Sequence, residues 1–97
     1  MDTLITYDIS RRHAEVKKAL KILNYHDDWT TNNVTYYLPN TTLWKKNIEQ
    51  EDALKEIKSV IARLNQGQTL ANQIELERCA CVNVMPWAAI PGKEHKE

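Results

Sequence analysis

Two stretches of helical periodicity, each entered from short β-branched or aromatic runs, set the strongest limit on how this chain can fold. Val16, Ala19, Leu20 and Leu23 recur at helical spacing after Leu4-Ile5-Thr6-Tyr7-Asp8-Ile9. Leu54, Ile57, Ile61 and Leu64 do the same after the runs 34–38 and 41–44. Each stripe must bury one helix face, and the short runs between them suit buried strands. From Ile74 to Val84 the chain is strand-like again, with Leu76, Ala80, Val82 and Val84 expected on one face and Arg78 interrupting the alternation. The order is β-α-β-β-α-β. It predicts an α+β, ferredoxin-like fold, one antiparallel sheet carrying two helices on one face.

Local signals sharpen the boundaries. Ser10 suits the N-cap of a first helix running from Arg11 to about Asn24. The stretch from His26 to Asn33 is polar and reads as a loop. Pro39-Asn40 is turn chemistry, so the runs on either side form a hairpin or one bent strand. Asn47-Ile48-Glu49-Gln50 has the spacing of a capping box at the start of the second helix. Glu49, Glu51 and Asp52 favour its positive end, Lys58 and Arg63 lie towards the other, and Gly67 stops it. The expectation is one domain over residues 1–90 and a charged, flexible tail over 91–97.

With 97 residues the core is thin, and association with a second copy would help it. Trp44, Tyr36 or Tyr37, and the last strand are candidates for a dimer surface on the sheet face away from the helices. Thirteen basic and thirteen acidic residues cancel, so nucleic acid or an anionic membrane would have to be met by a local patch. No apolar run approaches the ~18–20 residues that cross a bilayer. Met1-Asp2-Thr3 lacks the opening of a secretory signal, and Cys79 and Cys81 provide no disulfide framework. A cytoplasmic location is expected.

Asp8 is the first candidate for chemistry. It ends the first strand, where a carboxylate projects beside a helix start. One carboxylate is a poor Mg²⁺ site, because that ion prefers six oxygens; two copies across a two-fold axis could share one. Alternatively, Asp8 caps the first helix or favours it electrostatically. Arg11, Arg12, Lys17, Lys18 and Lys21 face a single acid, Glu15, within that helix. They are candidates to hold a nucleic-acid backbone, or else a solvated helix face. His13 is placed to carry a proton or simply to lie exposed. His26-Asp27-Asp28 lacks the spacing of a metal loop, and His95 sits in the charged tail. Cys79 and Cys81 share a strand face as small core or interface residues, too far apart for easy bridging. Trp29, Trp44 and Trp87 either stack on bases or fill a core or subunit interface.

Tyr7-Asp8-Ile9-Ser10 followed by a basic helix resembles the opening of the small CRISPR-associated adaptation endonucleases. It is also similar to their relatives, the virulence-associated protein D ribonucleases. The resemblance covers the element order from about Leu4 to Trp87, and its specific motif is those four residues. It implies a homodimer whose paired first-strand aspartates lie at the subunit interface. Several such proteins cut RNA or DNA with a divalent metal, whereas others are non-catalytic scaffolds that bridge partner proteins. By position, Asp8 is then the catalytic and metal residue for Mg²⁺ or Mn²⁺, with Ser10, Arg11 and Arg12 near it. The polar stretch 29–40 and the ending with Cys79, Cys81, Pro86 and Trp87 depart from the pattern and mark a divergent branch. Three functions are therefore expected to compete: a metal-dependent endonuclease, a dimeric scaffold for protein or nucleic acid, and a small-molecule-binding domain.

Overall fold

The computed structural model describes residues 1–85 and 87–94. Five strands and two helices follow in the order β1 (Thr3–Ile9), α1 (His13–Ile22), β2 (Asp28–Thr31), β3 (Val34–Tyr37), β4 (Thr42–Lys45), α2 (Gln50–Asn65) and β5 (Leu76–Asn83). A short 3-10 turn, Leu70–Asn72, lies between α2 and β5. Among the described residues no helix is long and apolar enough to cross a membrane.

β1 is the centre of the molecule. It pairs antiparallel with β4 on one side and β5 on the other, in the order β4-β1-β5. Its odd-numbered residues Ile5, Tyr7 and Ile9 are buried, while Thr6 and Asp8 are exposed. Val16 and Leu20 of α1 and Ala53, Ile57, Val60 and Ile61 of α2 meet those odd residues in one core with Tyr25, Leu43 and Ile74. Both helices therefore cover the same sheet face.

The hairpin falls elsewhere than the sequence suggested. β2 pairs with β3, Asp28 opposite Tyr37 through to Thr31 opposite Val34. Asn32 and Asn33 close it with φ values of 50° and 64°. A two-residue turn with both φ positive matches the right-handed twist of the flanking strands, and Asn tolerates that region. The stretch read as a polar loop is thus half of a two-stranded sheet. Pro39-Asn40 does turn the chain, with Thr42 N donating to Pro39 O at 3.1 Å, but it delivers β4 to β1 rather than to β3. A single four-stranded sheet is replaced by three strands and a separate hairpin. His26 still exchanges two backbone hydrogen bonds with Trp44, at 2.8 and 3.0 Å, on the outer edge of β4. The arrangement is compatible with a ferredoxin-like one without reproducing its sheet.

Neither expected helix cap forms. α1 begins behind Arg12, held at φ 59° with no side-chain cap, while Ser10 Oγ accepts from Glu75 N at 2.8 Å across the sheet. α2 begins behind Glu49, and Asn47 takes φ 54° with its amide donating to Asp2 Oδ1 at 3.0 Å. In both places tertiary partners claim the groups that a local cap would have used. Gly67 does follow the end of α2 at φ 73°, where an L side chain would be strained. The buried stripe of α2 is turned slightly from expectation, with Ala53 and Val60 inside and Leu54 and Leu64 half-buried.

β5 carries the most consequential register change. Asp8 opposes Arg78, yet Ile9 opposes Leu76, so one residue is bulged out between them. The bulge moves Leu76 to the core face with Cys79 and Cys81 and leaves Arg78, Ala80 and Val82 on the opposite face. Leu76 is therefore not on the face of Ala80 and Val82, and Arg78 continues that outer face instead of breaking it.

Of the expected tail, residues 91–94 are exposed, with Pro91 O accepting from Tyr37 N at 2.9 Å. Pro86 and residues 95–97, His95 among them, lie outside the described residues.

Candidate functional site

Asp8 lies near the end of the central strand, on the face opposite the helices, with its side chain 52% exposed. Alternation along β1 puts it there once Ile5, Tyr7 and Ile9 face the core. Its carboxylate Oδ2 accepts from Arg78 Nε at 2.6 Å, across the antiparallel pair with β5. The hydrogen bond that Arg78 donates to Asp8 in turn raises its already high pKa. A shallow hollow of about 460 Å³ surrounds the pair, bordered by Thr6, Tyr7, Cys79 and Ala80. Pointing away from α1, Asp8 does not cap that helix.

One carboxylate bonded to a guanidinium is a poor fit for Mg²⁺ or Mn²⁺. The ion would have to displace a cation and find nearly all its oxygens elsewhere. Among the described residues, no group of three or more His, Cys, Asp or Glu side chains could hold a metal. Within a single chain these residues do not form the expected metal site.

The cations of the first helix and its entry are largely engaged within the chain. Arg11 Nη1 donates to Ala71 O. Arg12 donates to Leu64 O at 3.1 Å and to Glu15 at 2.7 and 3.0 Å, clamping the start of α1 to the end of α2. Lys17 is buried, with Nζ 3.2 Å from Asp27 Oδ2, and Lys21 reaches the same oxygen at 3.2 Å. Lys18 is exposed. Burial of the Asp27 carboxyl works to raise its pKa, but the hydrogen bonds from Lys21 and Lys17 outweigh it and the net shift is downward. Spacing along the helix did not reveal Asp27 as the acceptor shared by Lys17 and Lys21.

Replacing Arg12 by alanine is expected to lower the urea midpoint clearly, because it strips the Leu64 carbonyl at the end of α2 of its donor. Lys18→Ala should change stability by less than about 0.5 kcal/mol, as exposed substitutions do. Urea unfolding of both variants checks the contrast.

Away from Asp8, the three tryptophans pack on one another. Trp29 lies 4.7 Å from Trp87 and 6.0 Å from Trp44, ring centroid to centroid, in edge-on arrangements. Tyr36 meets Trp87 at 5.2 Å and His26 meets Trp44 at 5.5 Å. Trp44 Nε1 donates to Asp28 O at 2.7 Å, whereas Trp29 Nε1 is buried with no partner among the described residues. This cluster fixes the β2–β3 hairpin to β4 and to the chain after β5. Beside it a groove of about 730 Å³ runs along the outer sheet face, lined by Leu4, Trp29, Leu38, Val82, Trp87 and Ile90.

Two other groups drew attention in the sequence. His13 opens α1 and is exposed. Cys79 and Cys81 are free and half-buried on the core face of β5. Burial, and then the neighbouring Cys81, push the Cys79 thiol up to about 12, which leaves it protonated and unreactive near neutral pH.

No protein-family model matches the sequence, and no curated protein or solved structure is significantly similar to it.

Proposed function

We propose that this chain is a non-catalytic, self-associating scaffold that bridges partner proteins or nucleic acid. In this reading it is a divergent member of the ferredoxin-fold group that contains the CRISPR-associated adaptation endonucleases and the virulence-associated protein D ribonucleases. The observation that carries the proposal is the ion pair of Asp8 with Arg78 at 2.6 Å. The acid on which cleavage would depend is already matched by a cation of its own chain. The engagement of Arg11, Arg12, Lys17 and Lys21 within the fold supports the same reading. The rudimentary pairing of His26 with β4 supports the ferredoxin-like assignment, since it lies where a fourth strand would extend the sheet.

The solvent exposure of Asp8 favours a second reading, a metal-dependent endonuclease assembled from two copies. It requires two Asp8 carboxylates to converge and Arg78 to withdraw. One experiment separates the two. Wild type and Asp8→Asn are incubated with labelled single-stranded RNA and duplex DNA in Mg²⁺ and in Mn²⁺, with mass followed by light scattering. The scaffold reading expects a mass twice that of the monomer for both proteins and no metal-dependent cleavage by either. Cleavage by the wild type that Asp8→Asn abolishes at unchanged mass overturns it, and so does a monomeric wild type.

A further inference from the structure

The far edge of β5 is an open hydrogen-bonding surface, and its polarity can be worked out residue by residue. Val84 N donates to Asp2 O at 3.2 Å, next in register to the pair Thr3 and Asn83. In an antiparallel ladder the residues that bond to a neighbour alternate with those that do not. Arg78, Ala80 and Val82 therefore turn their backbone groups towards β1, and Cys79, Cys81 and Asn83 turn theirs away. The opposite side of β1 agrees, since Tyr7, odd-numbered like Ile5, bonds through its amide to Thr41 O in line with β4. Among the described residues no strand receives the outward groups of β5.

Exposed edges in stable proteins are usually guarded by proline, by lysine, or by a bulge that twists the edge away. Between Leu76 and Val84 there is no proline and no lysine, and the one bulge sits at the start of the strand. The remaining run is regular, and its outer face is exposed at Ala80 and Val82. A second copy of β5 presents the complementary donors and acceptors by symmetry.

We infer that two copies join β5 edge to edge, antiparallel about a two-fold axis at Ala80, so that their three-stranded sheets become one sheet of six strands. The inference rests on the self-association proposed above and specifies how it is made. Outward groups meet outward groups only if the axis passes through a residue position. At Ala80 the smallest side chain of the outer face occupies the closest pair, where Cα atoms approach to about 4.5 Å. Arg78 then lays its aliphatic stem beside Val82 of the second copy, which is 50% exposed in the single chain. Cys79 stands opposite Cys81 of the second copy, small and apolar on both sides. Moving the axis to Cys79 would draw the bulged Glu77 into the ladder, and moving it to Cys81 would set Cys79 against the polar Asn83.

This geometry bears on chemistry. Strands about 4.8 Å apart with a rise of about 3.3 Å per residue place the two Asp8 side chains on one sheet face about 20 Å from each other. Ligand oxygens lie about 2.1 Å from Mg²⁺, so such a dimer gives the two acids no shared ion.

Single cysteines test the register. In a Cys79→Ala, Cys81→Ala background, which removes the hindered native thiols, Ala80→Cys is compared with Val82→Cys under mild oxidation on non-reducing gels. The expected result is nearly complete conversion of the Ala80→Cys protein to a covalent dimer and at least a tenfold lower yield for Val82→Cys. Cys81→Pro in the otherwise native chain provides a second reading, because it deletes an outward amide while sparing the β1 ladder. It should halve the light-scattering mass at unchanged far-UV circular dichroism. A wild type that is dimeric, with Ala80→Cys failing to crosslink or Cys81→Pro remaining dimeric, overturns the edge contact and leaves self-association standing. A monomeric wild type overturns both.

Discussion

Ile57→Ala is expected to lower the melting temperature by about 12–24 °C. Ile57 is fully buried in the middle of α2, within the core cluster that contains Ile5 and Tyr7 of β1 and Leu20 of α1. Truncation removes apolar surface from that layer and leaves a cavity that β1, held on both sides by β4 and β5, cannot close by moving. Such substitutions cost about 2–5 kcal/mol. A domain of this size has only about 5–15 kcal/mol in all. For domains of 60–100 residues each kcal/mol moves the melting temperature by about 4–8 °C. A loss of about 3 kcal/mol therefore gives the stated shift. Thermal unfolding followed by circular dichroism checks it, and a fall of less than about 8 °C would mean that α2 is not seated on β1 as described. Leu54→Ala is the internal control, because Leu54 is only half-buried on the same helix and should lose markedly less.

That pair of residues also shows where the sequence was informative. Period 3.6 identified both helices and placed Ile57 and Ile61 inside, since helix burial follows from spacing alone. It misjudged Leu54 and Leu64 by less than one turn, because the rotation of a helix on its sheet depends on neighbours that spacing does not name. β1 was legible as a short β-branched and aromatic run, whereas the facing of Ile5, Tyr7 and Ile9 towards the core is seen only in the fold. Strand partners were not legible. Pro39-Asn40 and Asn32-Asn33 both carry turn chemistry, and only the second closes a hairpin. Two successive Asn residues, each tolerant of positive φ, were the available signal, masked by the polar character of the stretch from His26 to Asn33.

The site was legible in its residues and illegible in its pairings. Asp8 was found by its place at the end of a strand, but its partner Arg78 is seventy positions away. Their meeting depends on the β1–β5 register, which a bulge between Asp8 and Ile9 resets. A single bulged residue exchanges the two faces of a strand beyond it. Leu76 therefore belongs to the core, while Arg78, on the regular side of the bulge, lies beside the carboxylate. The helix caps failed for a related reason: Ser10 and Asn47 have the right chemistry for caps, but long-range partners, Glu75 and Asp2, claim their polar groups.

Asp27→Asn should destabilise the protein by about 2 kcal/mol at neutral pH, and the deficit should vanish in acid. Asp27 Oδ2 lies 3.2 Å from Lys17 Nζ and 3.2 Å from Lys21 Nζ, and its side chain is 19% exposed. Removing one partner of a buried pair costs about 3–5 kcal/mol. The residual exposure of Asp27 and the solvated position of Lys21 reduce that figure here. The sign with pH follows from the downward shift of the Asp27 pKa in the folded chain. A carboxyl depressed by folding contributes fully above its unfolded value, about 3.9, and loses that contribution as pH falls through the lower folded value. Wild-type stability should therefore fall below about pH 4 with a component that Asp27→Asn lacks, so that the two unfolding curves converge as pH drops through the lowered folded value. The same substitution tests the nucleic-acid role of α1, because an amide holds Lys17 and Lys21 less firmly than a carboxylate. If binding to single-stranded RNA at low salt strengthens severalfold in Asp27→Asn, the α1 cations are a phosphate surface masked by Asp27. Unchanged affinity assigns them to holding the chain from α1 to β2 in place, as the scaffold reading expects.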